Sequence, residues 1–133
     1  MATFQKFEEL EIWQLSRKLS QIVYNFTMKA GFSKEYVLKD QIKRSIGSVM
    51  DNIAEGFDRN GNAEFIHFLT IAKGSVAEVQ SQLYRSFDYQ LITEVELNSS
   101  YALGNEIKNK IGAFIKYLNT TKIKGLKFKD RKK

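Results

Sequence analysis

Cysteine and proline are absent from this 133-residue chain, and histidine and tryptophan occur once each. Without cysteine, a disulfide-built secreted module is excluded. Without proline, long helices meet no obligatory break, and a loop-rich or all-β chain is disfavoured. No apolar run approaches the ~18 residues needed to span a bilayer. The opening MATFQKFEELEIW lacks the basic-then-apolar order of a secretion signal. The expectation is a cytoplasmic protein with no membrane partner. A chain of this length reads as one domain, able to bury roughly two thirds of its unfolded surface without metal or disulfide staples.

The formal net charge of +6 is not spread along the chain. Residues 1–118 hold 14 Lys/Arg and 14 Asp/Glu, whereas residues 119–133 hold seven Lys/Arg and one acid. The whole excess therefore belongs to a basic tail, KIKGLKFKDRKK, in which cations interleave with Ile123, Leu126 and Phe128. Such a segment reads either as a solubilising terminus or as a phosphate-neutralising arm. Its candidates are Lys122, Lys124, Lys127, Lys129, Arg131, Lys132 and Lys133, with Phe128 available to stack on a base.

Ahead of the tail, four amphipathic segments follow one another, and no strand-like alternation competes. Ile12, Leu15, Leu19, Ile22 and Phe26 place a bundle-type apolar stripe on a helix over about 9–29, with Ala30-Gly31 as its stop. Leu38, Ile42, Ile46, Val49, Ile53 and Phe57 mark a second helix over 36–59. Gly61 suits positive φ in the next turn, and Asn62 suits an N-cap. Phe65, Leu69, Ala72, Val76, Val79 and Leu83 define a third helix over 63–87. Thr93-Glu94-Val95-Glu96 has the form of a capping box and opens a fourth over 94–119, striped by Leu103, Ile107, Ile111, Phe114 and Leu118. Short linkers make successive helices antiparallel neighbours. The predicted fold is all-α, an antiparallel up-down-up-down four-helix bundle over 1–119, followed by the tail over 120–133.

The second helix carries another periodic stripe. Gln41, Ser45, Ser48, Asn52, Glu55 and Arg59 recur at four, three, four, three and four. Solvated faces are ordinarily rich in Lys and Glu and have no need of periodic serines and amides. Small hydrogen-bonding residues predict a surface that another helix or chain approaches closely. Gly56 and Gly74 sit within helix patterns, where glycine costs ~1 kcal/mol relative to Ala, and they point the same way. Trp13 reads as a partly buried anchor.

Catalytic arrangements find little support. Glu64-x-x-His67 has the spacing of a di-iron bundle ligand pair, but a second pair needs a second histidine. Ser48 and Ser75 lack a base at matching spacing. Lys73-Gly74-Ser75 has no upstream glycine of a phosphate loop. The expectation is a protein that is not an enzyme and uses no metal or cofactor.

The order Leu10-Glu11-Ile12-Trp13-Gln14, Gln41-Ile42-Lys43-Arg44-Ser45, Asn52-Ile53-Ala54-Glu55-Gly56-Phe57-Asp58-Arg59 and Phe68-Leu69-x-Ile71-Ala72-x-Gly74-Ser75-x-x-Glu78 resembles the four-helix bundle protein family encoded within intervening sequences of bacterial large-subunit ribosomal RNA genes. The similarity spans about residues 7–118. It implies a ring-shaped homopentamer of bundles. It also implies kinship with the accessory protein of diversity-generating retroelements, which binds nucleic acid and a reverse transcriptase. The family pattern has proline where this chain has Ser33 and Met50, so the second helix is expected to run straight here. The residues carried over are interface candidates: Asn52, Glu55, Gly56, Arg59, Gly74, Ser75 and Glu78, joined by Gln41 from the polar stripe. Two readings follow. One is a non-catalytic oligomer that associates with RNA or DNA through the tail and Lys43, Arg44 and Arg59. The other is a protein-interaction scaffold without a specific nucleic-acid role.

Overall fold

The computed structural model describes residues 4–121. Four helices account for most of them: α1 Glu11–Thr27, α2 Tyr36–Phe57, α3 Asn62–Asp88 and α4 Glu94–Thr120. Short 3-10 turns at Phe7–Glu9 and Phe32–Lys34 precede α1 and α2. No strand occurs among the described residues. Each helix packs on its successor, α4 closes on α1, and the α2–α3 contact is the most extensive. With connections of a few residues, this is the expected up-down-up-down bundle.

The apolar stripes form the core. All six stripe residues of α2 and all six of α3 are buried. On α4, Ile107, Ile111 and Leu118 are buried, while Leu103 and Phe114 pack partly buried against them. Each such Leu, Ile or Phe contributes roughly 1.5–3 kcal/mol by leaving water. Phe65 links two helix pairs, meeting Phe57 and Phe114 edge-on at centroid separations of 6.0 and 5.5 Å.

Helix ends differ from the sequence expectation where tertiary contacts compete with local signals. Leu10 is fully buried in extended backbone, so α1 starts at Glu11. The helix ends at Thr27, whose hydroxyl donates to Tyr24 O. Gly31 has ordinary helical φ and ψ and does not act as the stop. Asn62 does not cap α3. Gly61, at φ 108°, occupies the N-cap position, and the Asn62 amide donates instead to Leu118 O at the end of α4. The capping box at Thr93 and Glu96 is formed in both directions. After α3, Gln90 adopts left-handed backbone at φ 62°, and Leu91 N donates back to Ser86 O, a Schellman-type closure. α2 runs unbroken through Met50.

Candidate interaction surface

The polar stripe of α2 runs along the flank that meets α3. Ser45 Oγ donates to Gln41 O at 2.9 Å. Asn52 Nδ2 donates to Ser48 O at 2.8 Å and to Ser48 Oγ at 3.0 Å. Ser48 Oγ and Ser75 Oγ lie 2.9 Å apart and bridge the two helices. Ser45 and Ser75 are buried, and Ser48 and Asn52 are half-buried. These small side chains thus satisfy one another at the contact between α2 and α3. Their hydrogen-bond partners are hydroxyl, amide and backbone groups, an arrangement that fastens helices and positions no base beside either serine.

The glycines behave differently from each other. A Cβ on Gly56 would lie 2.7 Å from Phe68 Cβ and 3.1 Å from Phe65 Cδ1, so the absent side chain admits α3. A Cβ on Gly74 would meet nothing within 4 Å among the described residues. The reason is angular. Position 74 is 200° around the helix from both Ala72 and Val76, which face the core. Glu78 and Gln41 are also exposed. The outward strip of α3 carries Ala63, His67, Thr70, Gly74, Ala77 and Ser81, all exposed and mostly small.

At the end of the stripe, Arg59 Nη2 donates to Glu55 Oε2 at 2.6 Å, and the guanidinium lies 5.0 Å from the Phe68 ring centroid. A shallow depression beside it is lined by Phe7, Asp51, Ala54, Glu55, Asp58 and Arg59. The Arg59 guanidinium is thus paired with Glu55, and Asp51 and Asp58 share the lining of the depression. Lys43 and Arg44 are exposed farther along α2, and the Lys43 ammonium sits 5.5 Å from the Tyr24 ring centroid. The tail candidates Lys122, Lys124, Lys127, Phe128, Lys129, Arg131, Lys132 and Lys133 lie outside the described residues.

His67 is exposed and meets Phe68 edge-on at 5.5 Å. Among the described residues, no group of three or more His, Asp or Glu side chains is placed to hold a metal ion. Nor is any described helix long and apolar enough to cross a membrane.

This bundle, with its paired stripe on α2 and α3, agrees with a family-level comparison. Residues 8–113 match the model of the 23S rRNA-intervening sequence protein family. The chain belongs to that family. Among solved structures, this member of the 23S rRNA-intervening sequence protein family resembles a crystal structure from Bacteroides thetaiotaomicron, described as a protein of unknown function from the S23 ribosomal protein family. The two are 27% identical, with a TM-score of 0.72 over 79% of this chain and 98% of that one. No curated protein matches at a significant level.

One polar element of this family member escaped the sequence reading. Gln80 is buried on α3, and its amide donates to Tyr101 O at 3.1 Å and to Asn105 Oδ1 at 2.9 Å on α4. Gly104 makes room, since a Cβ there would lie 2.9 Å from Gln80 Nε2. A glycine inside a helix pattern was the available signal, the same one that singled out Gly56.

Proposed function

We propose that this chain is a non-catalytic, self-associating helical bundle of the ribosomal-RNA intervening-sequence type that associates with nucleic acid in the cytoplasm. The carrying observation is charge placement: a body balanced at 14 cations and 14 anions is followed by a segment with seven cations and one anion. Such a segment releases counterions from phosphate, which makes binding strongly salt-dependent. Lys43 and Arg44, exposed on α2, add cations on the body. The 23S rRNA named in the family description favours RNA over DNA. For assembly, the small outward strip around Gly74 suits close approach by a second copy, and the family resemblance gives a pentameric ring as its form.

Titration of labelled RNA and DNA at two salt concentrations tests the nucleic-acid reading, with the full chain and with a chain lacking residues 120–133. The expected result is weaker binding by the shortened chain and a log–log salt slope reduced by roughly 0.7–0.9 per lost phosphate contact. Equal, weak binding by both chains overturns it.

A scaffold role is the second reading, supported by Val37 and Val95, which are 69% and 77% exposed. Its partner class is a protein, with a reverse transcriptase as the candidate from the family kinship. Specific capture of one protein after nuclease treatment would favour this reading over the first.

A further inference from the structure

The outer seam between α1 and α2 joins cations to exposed aromatic rings, and this pairing has no role in holding the core. Tyr24 on α1 and Tyr36 on α2 are 50% and 69% exposed. Lys43 Nζ lies 5.5 Å from the Tyr24 ring centroid, and Lys39 Nζ lies 5.6 Å from that of Tyr36. Arg17, about two turns back along α1 from Tyr24, is exposed and sits 5.9 Å from the Trp13 ring. Ser20, Gln21, Tyr24 and Asn25 line a shallow depression on the same side of α1. Its lining contains no acid.

No ion pair among the described residues neutralises the charges on this seam, and Lys39 Nζ makes one neutral contact, donating to Ser33 O at 3.4 Å. Ion pairs among the described residues join Lys29 to Glu96, Arg59 to Glu55 and Lys110 to Glu11. None engages Arg17, Lys39, Lys43 or Arg44. Asp40 and Glu35 are the neighbouring acids on this stretch of chain, and neither forms an ion pair with these cations. Lys39 and Lys43 are one turn apart, about 6 Å along the axis at 1.5 Å per residue. Resting near a tyrosine holds each lysine in place, so less side-chain freedom is lost when a phosphate arrives.

Exposed tyrosines beside ordered cations match the requirements of a flexible strand. Bases stack on the rings, and the ammonium groups take the phosphates. A duplex keeps its base faces stacked internally and gains only the electrostatic part. We infer that the α1–α2 seam, through Tyr24, Tyr36, Lys39 and Lys43, is a binding surface for single-stranded nucleic acid. This rests on the nucleic-acid reading above and assigns it a place on the folded body, separate from the tail.

The test uses the full chain and three probes: a single-stranded uridine 20-mer, a duplex of equal length, and heparin as a polyanion without bases. The double variant Tyr24→Leu/Tyr36→Leu keeps charge and apolar bulk at two exposed sites. It is expected to weaken binding to the single strand by at least about fivefold, the low end for one lost stacked base, and to leave duplex and heparin binding unchanged. Lys39→Gln/Lys43→Gln is expected to weaken all three and to flatten the salt slope. Melting curves matching the parent verify folding. Unchanged single-strand affinity in the tyrosine variant overturns the seam alone, while the nucleic-acid reading stands. An equal loss on heparin also overturns it, because the rings would then act without bases. A parent chain that binds neither nucleic acid overturns both.

Discussion

Single residues decide how near the helices come. Gly74 is mid-helix, where replacement with Ala removes a backbone penalty of ~1 kcal/mol, whereas Gly56 is the penultimate residue of α2, where the gain is smaller. They differ in what the new methyl meets. At Gly56 it lies 2.7 Å from Phe68 Cβ, an atom held by the α3 backbone that cannot swing away. Overpacking of this kind costs about 1–3 kcal/mol, so Gly56→Ala is expected to lower the melting temperature despite the helix gain. At Gly74 it meets nothing among the described residues, so Gly74→Ala is expected to raise subunit stability by up to about 1 kcal/mol. Thermal melts of the two variants side by side check the sign. Sequence alone flagged both glycines as equivalent, because local pattern marks a residue as lying within a helix but does not reveal what stands opposite it.

At the level of elements, the start of α4 is fixed by local chemistry and then tied to a distant helix. Thr93→Ala removes the side-chain acceptor for Glu96 N and is expected to cost about 1 kcal/mol. Glu96 also reaches Lys29 beyond the end of α1. The hydrogen bond from Lys29, followed by that from Thr93 N, holds the Glu96 carboxyl below its ordinary value of 4.5. A lowered folded-state value stabilises the protein above the unfolded value, and that stabilisation fades as pH falls through the folded one. Glu96→Gln is therefore expected to lower stability by about 0.5 kcal/mol near neutrality, in keeping with a partly exposed pair. The difference from the parent should shrink as pH falls below about 4.5. Denaturant melts at pH 7 and at pH 3.5 measure it, and a constant difference would contradict the assignment. The capping box could be read from four consecutive residues, whereas the Lys29 contact spans 67 positions and could not.

For the whole molecule, the question is which surface remains for another chain. The α2 stripe is largely occupied within the subunit: Ser45, Ser48 and Asn52 are bonded along α2 and across to Ser75. What stays open is the outward strip of α3 around Gly74. Gly74→Leu is expected to leave the subunit folded, since its side chain would enter open space, and to reduce the assembled mass seen by light scattering. Unchanged mass would remove this strip from the proposed interface. A parent chain that scatters as a strict monomer would remove self-association altogether.

The number and order of the helices follow from local patterning, and so do their core faces, except that on α1 Ser16 and Val23 are buried while the stripe residues Leu15 and Ile22 are half-buried. A period of 3.6 residues ties each side chain to neighbours three and four positions away, so the stripes of α2 and α3 became core without exception. What the polar residues meet, by contrast, is set between helices. Ser48 finds Ser75 across 27 residues, and Gln80 finds Asn105 across 25. Those pairings depend on the rotation and register of one helix against the next. Rotation and register are set by the packing of the entire core, and no short window of residues contains that information.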